Sequence, residues 1–148
     1  MSDCCSTNAN PRNRQVTHCP ECGERGKKVD RVTLKCLLRP KALRRLEADA
    51  TFAFCKTPGC PVVYFGPILF RKEDIEVPVF QKSEGGEVPV CYCFGYTRQA
   101  LRRKGEAGEG EAVVEEITRL VREGKCACEF RNPQGSCCLG NVRQVLGG

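Results

Sequence analysis

The chain has 148 residues, a formal net charge of +6 and thirteen cysteines, about 9% of the total. That length suits one domain or two small modules, and no apolar run reaches the roughly 18 residues of a membrane-crossing helix. The polar N-terminus lacks the apolar stretch of a secretion signal, so the expected compartment is the cytoplasm, where thiols stay reduced and clustered cysteines bind metal rather than pair as disulfides.

Residues 1–17 are polar, without apolar periodicity, and read as a disordered tail that carries Cys4-Cys5. Residues 18–70 read as a first module. It opens on His18-Cys19-Pro20-Glu21-Cys22-Gly23. Val32, Leu34, Cys36 and Leu38 alternate with polar residues and predict a half-buried strand, with Cys36 as a small buried hydrophobe. Pro40 to Leu46 predicts a turn or two of helix. Thr51–Phe54 and Pro61–Phe65 predict two strands rich in aromatic and β-branched residues, joined by the knuckle Cys55-Lys56-Thr57-Pro58-Gly59-Cys60.

Residues 71–90, with charge, two prolines and Gly85-Gly86, read as a connector. Residues 91–148 read as a second, helical module. Thr97 is the expected N-cap of a short helix over Arg98–Lys104. Val113, Val114, Ile117, Leu120 and Val121 fall at helical spacing over Glu111–Glu123, and Gly124 ends that helix. A last helix is expected from about Cys137 to Leu146. The Arg98, Arg102, Arg103, Lys104 run reads as a solvated helix face.

Cys19, Cys22, Cys55 and Cys60 have the spacing of a tetrahedral Cys₄ site, the usual arrangement of structural zinc. All four positions are then filled by sulfur, which leaves none for a reactive water. His18, the sole histidine, is expected to be exposed rather than a ligand. The competing reading, a redox Cys-x-x-Cys, wants a βαβ context that this sequence lacks.

The second group is Cys91-Tyr92-Cys93-Phe94-Gly95, Cys126-Ala127-Cys128 and Ser136-Cys137-Cys138-Leu139-Gly140. A [2Fe–2S] cluster needs four thiolates, and Rieske ligation is excluded by the lack of a second histidine. Cys91-x-Cys93 suits both sulfurs on one iron, with the second iron served by the remaining pairs. A second zinc site is the rival reading. In a helix from residue 137, Cys138 shares a face with Val142 and Val145, while Cys137 shares one with Asn141 and Gln144, so Cys138 is the better placed for a dry pocket. Nothing comparable separates Cys126 from Cys128.

Val90-Cys91-Tyr92-Cys93-Phe94-Gly95-Tyr96-Thr97, with Cys126-x-Cys128 and Asn132-Pro133-x-Gly135-x-Cys137-Cys138-Leu139-Gly140, resembles the N-terminal module of CopZ-type copper chaperones, in the bacterioferritin-associated-ferredoxin-like [2Fe–2S] group. Phe54-Cys55-x-Thr57-x-Gly59-Cys60-x-Val62-Val63-Tyr64-Phe65 resembles the zinc-binding domain of the same proteins. The resemblance covers residues 18–146. It implies an α+β protein: a small zinc-ribbon or treble-clef-like module followed by a small helical [2Fe–2S] module. It also implies cluster ligands Cys91, Cys93, Cys128 and Cys138, and a role in copper handling in which the cluster reduces Cu(II) to Cu(I).

Chaperones of this family usually continue into a ferredoxin-like domain with a Met-x-Cys-x-x-Cys loop, whereas the one methionine here is Met1. The expected partners are therefore copper or another soft metal ion, and a separate heavy-metal-associated domain protein or metal-transporting ATPase. Cys4, Cys5, Cys126 and Cys137 remain as possible soft-metal thiols. Four thiolates around zinc sum to about −2, and four around an oxidised [2Fe–2S] core to about −2, so loading both sites lowers the net charge to roughly +2 and weakens a nucleic-acid reading. No phosphate-binding Gly-Lys loop, His-Glu-x-x-His or nucleophile–base pair is present, and the chain is not expected to be an enzyme. The alternatives are a two-zinc interaction module and a thiol sink for copper or mercury.

Overall fold

The computed structural model describes residues 17–147. Helix and sheet are mixed. Four short strands, β1 (Lys27–Val29), β2 (Phe52–Phe54), β3 (Val62–Phe65) and β4 (Leu69–Arg71), pair antiparallel in that order. Between β1 and β2 the chain forms α1 (Arg31–Leu37) and α2 (Pro40–Leu43).

The two central strands, β2 and β3, are buried on both faces, and period-2 alternation divides their residues between them. Phe52 and Phe54 of β2 meet Leu34, Leu37, Phe70 and Ile75 in the larger core. Ala53 between them points the other way, and Cys55 follows the same rule one step later, joining Cys19, Cys60, Val62 and Phe65. In β3 the register shifts between Val62 and Tyr64, a bulge that resets the alternation, so Val63 and Tyr64 both enter the larger core. Each of the buried Val, Leu, Ile and Phe side chains adds about 1.5–3 kcal/mol by leaving water.

The strand expected over Val32–Leu38 is a helix. The buried residues of α1 are Thr33, Leu34 and Leu37, at helical rather than alternating spacing, and Cys36 is exposed instead of buried. The β-branched Val32 and Thr33 favour strand locally, but the apolar stripe continued by Leu38 and Ala42 prevails.

Residues 71–90 supply core to both halves. Ile75 and Val79 belong to the first core, while Phe80 begins a second with Val90, Cys91, Leu101, Val113, Ile117, Cys138 and Val142. The second core is enclosed by the hairpin β5 (Pro89–Cys91) and β6 (Tyr96–Thr97), then α3 (Arg98–Glu106), α4 (Gly110–Arg122) and α6 (Leu139–Gly147), while the short α5 (Cys128–Arg131) packs against α1. Thr97 caps α3 as expected, its hydroxyl accepting from the Ala100 amide at 3.1 Å. Gly124, with φ +74°, ends α4 in the left-handed conformation that favours glycine. Arg98 is not the solvated residue expected. It donates to the carbonyls of Ser83, Gly85 and Phe80 and lies over the Phe80 ring.

The two halves are joined by polar contacts. The Tyr64 hydroxyl donates to the Pro133 carbonyl at 2.6 Å, and the Thr33 hydroxyl to the Glu129 carbonyl at 2.7 Å, where α1 meets α5.

Candidate metal centres

The first centre hangs from two turns beside the sheet. The Cys19 amide donates to the Glu24 carbonyl and the Gly23 amide to the Cys19 carbonyl, each at 2.8 Å, and Gly23 sits at φ +78°. This turn holds the thiols of Cys19 and Cys22 on one side. The second turn is pinned where the Cys55 amide donates to the Val63 carbonyl at 2.9 Å and the Cys60 amide to the Thr57 carbonyl at 3.2 Å.

The four sulfurs of Cys19, Cys22, Cys55 and Cys60 lie within 4.8 Å of one another. Cys19 and Cys60 are 3.8 Å apart, and Cys22 and Cys55 are 3.7 Å apart. A tetrahedron with zinc–sulfur bonds of about 2.3 Å has edges of about 3.8 Å, so the cage fits a zinc ion. His18 is exposed, its Nδ1 2.8 Å from the Thr17 hydroxyl, and lies outside the four-sulfur group.

Electrostatics point the same way. The Thr57 hydroxyl, 3.3 Å from Cys22 Sγ, helps bring that thiol down to about 6, aided by the backbone at Glu24. Burial pushes the Cys60 thiol up to about 12 and raises Cys19 as well. Sulfurs this close cannot all ionise without a cation between them.

Lys82, in the segment composed like a connector, is 95% buried, and its Nζ donates to Cys55 Sγ at 3.2 Å and to the Thr57 carbonyl at 2.6 Å. A buried ammonium requires a charged or strongly polar partner, and the partner here is the Cys₄ group, which is anionic when its thiols ionise. The sequence carries no signal for this contact, because lysines are nearly always exposed and Lys82 belongs to no periodic element.

The second group is assembled from more distant parts. Cys91 ends β5, Cys93 lies in the following turn, Cys128 starts α5 and Cys138 immediately precedes α6. Cys93 and Cys128 sulfurs are 3.5 Å apart, and the Ala127 amide donates to Cys93 Sγ at 3.1 Å. Cys138 interacts with both Cys128 and Cys91. The sulfurs thus form a chain running Cys93, Cys128, Cys138, Cys91, and the close partner of Cys93 is Cys128 rather than Cys91. Contact with Cys138 brings the Cys128 thiol down to about 6 and lowers Cys91. The Cys138 thiol is raised by those same two neighbours, and burial pushes Cys93 up to about 12.

Cys91 and Cys138 are buried in the second core, whereas Cys93 and Cys128 are half-buried. Cys137 is exposed and Cys126 half-buried. Cys4 and Cys5 lie outside the described residues.

Residues 16–76 match the zf_CopZ family, described as a zinc binding domain, and the Cys₄ group falls inside that match. The fold is similar to the N-terminal domain of CopZ from Archaeoglobus fulgidus, solved by X-ray, with 30% sequence identity and a TM-score of 0.74 over 86% of this chain and 96% of that one. No curated protein gives a significant match. A zinc-binding fold that follows the CopZ domain over nearly its whole length, with four converging cysteines where the zinc-binding family matches, places this chain in the family of the CopZ N-terminal domain.

Proposed function

We propose that this CopZ-like, zinc-binding protein also holds a [2Fe–2S] cluster on Cys91, Cys93, Cys128 and Cys138 and serves in handling copper or another soft metal. The observation that supports this reading is the chain of four sulfurs, each meeting the next from Cys93 through Cys128 and Cys138 to Cys91, beside a separate, compact Cys₄ cage. A mononuclear site draws its sulfurs into one sphere, whereas a binuclear cluster spreads them as two pairs. Cys93 with Cys128, and Cys91 with Cys138, are natural pairs.

When bound, the cluster supplies one-electron exchange, of the kind that reduces Cu(II) to Cu(I). The protein's own groups set its environment. Leu101, Ile117 and Val142 keep water from Cys91 and Cys138. The Ala127 amide donates to Cys93 and offsets charge on that sulfur. Cys93 and Cys128, half-buried, are the ligands nearest solvent and would give a bound cluster its exposed edge. The zinc ion is structural, with every position filled by sulfur. The chain acts as a carrier rather than an enzyme, in the cytoplasm, with a separate heavy-metal-associated domain protein or a metal-transporting ATPase as recipient.

Protein purified without oxygen should be red-brown, bleach with dithionite, give an electron paramagnetic resonance signal when reduced, and carry about two iron and one zinc per chain. Cys138→Ser and Cys128→Ser should lose the colour, while Cys137→Ser and Cys126→Ser keep it. A colourless protein with two zinc ions would overturn the cluster in favour of a two-zinc interaction module.

A further inference from the structure

A cleft of roughly 1330 Å³ opens where the turn after β2, the segment 80–85, the start of α3 and the residues around α6 come together. Arg25, Lys27, Lys56, Lys72, Arg98 and Arg102 line it, with Lys82 at its base, against a single carboxylate, Glu84. The ion pairs found among the described residues, Arg45–Asp74, Lys104–Glu109, Arg119–Glu123 and Lys125–Glu123, all lie outside the lining. Lys27 donates to the Ser136 hydroxyl, and Arg98 is spent on backbone carbonyls, so neither charge is neutralised by an acid. The anionic Cys₄ group lies beneath the base, where Lys82 meets it, and the exposed cations of the rim are what a visitor encounters. Cys137 also lines this cleft, exposed, one residue before the buried Cys138.

We infer that the cleft is a docking site for an acidic polypeptide segment of a partner protein, seated so that Cys137 lies against it. Concentrated charge of one sign attracts the opposite sign and speeds encounter. The volume exceeds the roughly 300–1,000 Å³ of small-molecule pockets, which favours a chain segment over a small anion. Single-stranded nucleic acid is disfavoured because the two aromatic rings of the lining, Phe54 and Phe80, are buried and offer no face on which bases stack. A docked segment brings the partner's donor groups to the one exposed thiol of the wall. This inference does not depend on what Cys91, Cys93, Cys128 and Cys138 hold.

The test uses the full, metal-loaded chain and a fluorescent Glu/Asp-rich peptide, with its Gln/Asn counterpart, a DNA oligonucleotide and citrate as comparisons. The acidic peptide should bind saturably and weaken at least about tenfold on raising salt to about 0.5 M. It should also protect Cys137 from iodoacetamide while leaving Cys36, exposed and outside the lining, unprotected. Lys56→Glu with Arg102→Glu should weaken binding at least about tenfold with zinc content retained. If that variant loses zinc, the salt response and the Cys137-to-Cys36 protection ratio in the unaltered chain decide. Equal binding of the neutral peptide, tighter binding of DNA or citrate, or equal protection of the two thiols would overturn the assignment.

Discussion

In the first half of the molecule four sulfurs hang from two tight turns flanking one sheet, each turn contributing a pair. In the second half the sulfurs come singly from a hairpin strand, its turn and the starts of two helices, two of them, Cys91 and Cys138, inside an apolar core and two, Cys93 and Cys128, at its edge. The first cage closes over a small set of neighbours, Ala53, Val62 and Phe65, on the face of the sheet away from the larger core. The second group rests on Leu101, Val113, Ile117 and Val142, an apolar core that buries Cys91 and Cys138 among them. Metal should therefore be a structural member in the first half and a resident in the second.

The largest expected effect breaks this comparison if it fails. Cys60→Ser should abolish zinc binding and cooperative unfolding of the first half, since structural zinc contributes on the order of 10 kcal/mol, comparable to a whole domain's stability. Cys138→Ser should empty the second site but cost only about 1–2 kcal/mol, with helical circular dichroism retained. Thermal unfolding with zinc and iron counts checks both. Similar losses in the two variants would mean that the second core also needs its metal.

Proton competition is the next largest effect. In the metal-free protein Cys60 holds its proton up to about 12, Cys19 stays protonated above its ordinary range, and Cys22 ionises at about 6. Binding zinc between about pH 6.5 and 8.5 then displaces at least the protons of Cys19 and Cys60. Affinity should rise at least about a hundredfold per pH unit, and more steeply below about pH 6, where Cys22 is protonated too. Chelator competition across this range measures the slope. A slope of tenfold per unit or less would show that the cage is ionised before metal arrives.

The contrast between the halves also decides what could be read from the sequence. Cys-x-x-Cys-Gly and the knuckle from Cys55 to Cys60 are local, so their spacing alone marks the pairs, and the aromatic strands beside them are equally local. The helices α3 and α4 were legible because Thr97, Gly124 and the apolar stripe through Val113 and Ile117 act within a few residues. The face of Cys138 was legible too, through Val142. Nothing local says that Cys128 rather than Cys126 meets Cys93, because the chain must first fold α5 against α1. The same limit hid the helical character of Arg31–Leu37, where alternation and helical spacing share Leu34, and it hid the burial of Phe80 and Lys82 in a stretch composed like a linker.

Lys82 offers the finest test of whether the first centre is self-contained. Its ammonium reaches Cys55 Sγ and the Thr57 carbonyl from a segment whose neighbour Phe80 belongs to the second core. The charge stabilises the anionic cage, and the four-carbon stem fills buried space. Lys82→Met keeps much of the stem and removes the charge, so zinc affinity should fall about 10–100-fold, the usual effect of losing a hydrogen-bonding partner of a metal ligand. Lys82→Gln retains a donor without the charge, and an intermediate loss there would assign part of the effect to charge itself. Chelator-driven zinc release measures affinity, and cobalt substitution reports the sulfur environment through its charge-transfer bands. If Lys82→Met leaves both unchanged, the contact is a consequence of burial with no hold on the metal. If the second site's absorption shifts along with zinc loss, the segment 71–90 couples the two centres, and the contrast between a structural and a resident metal becomes one of degree.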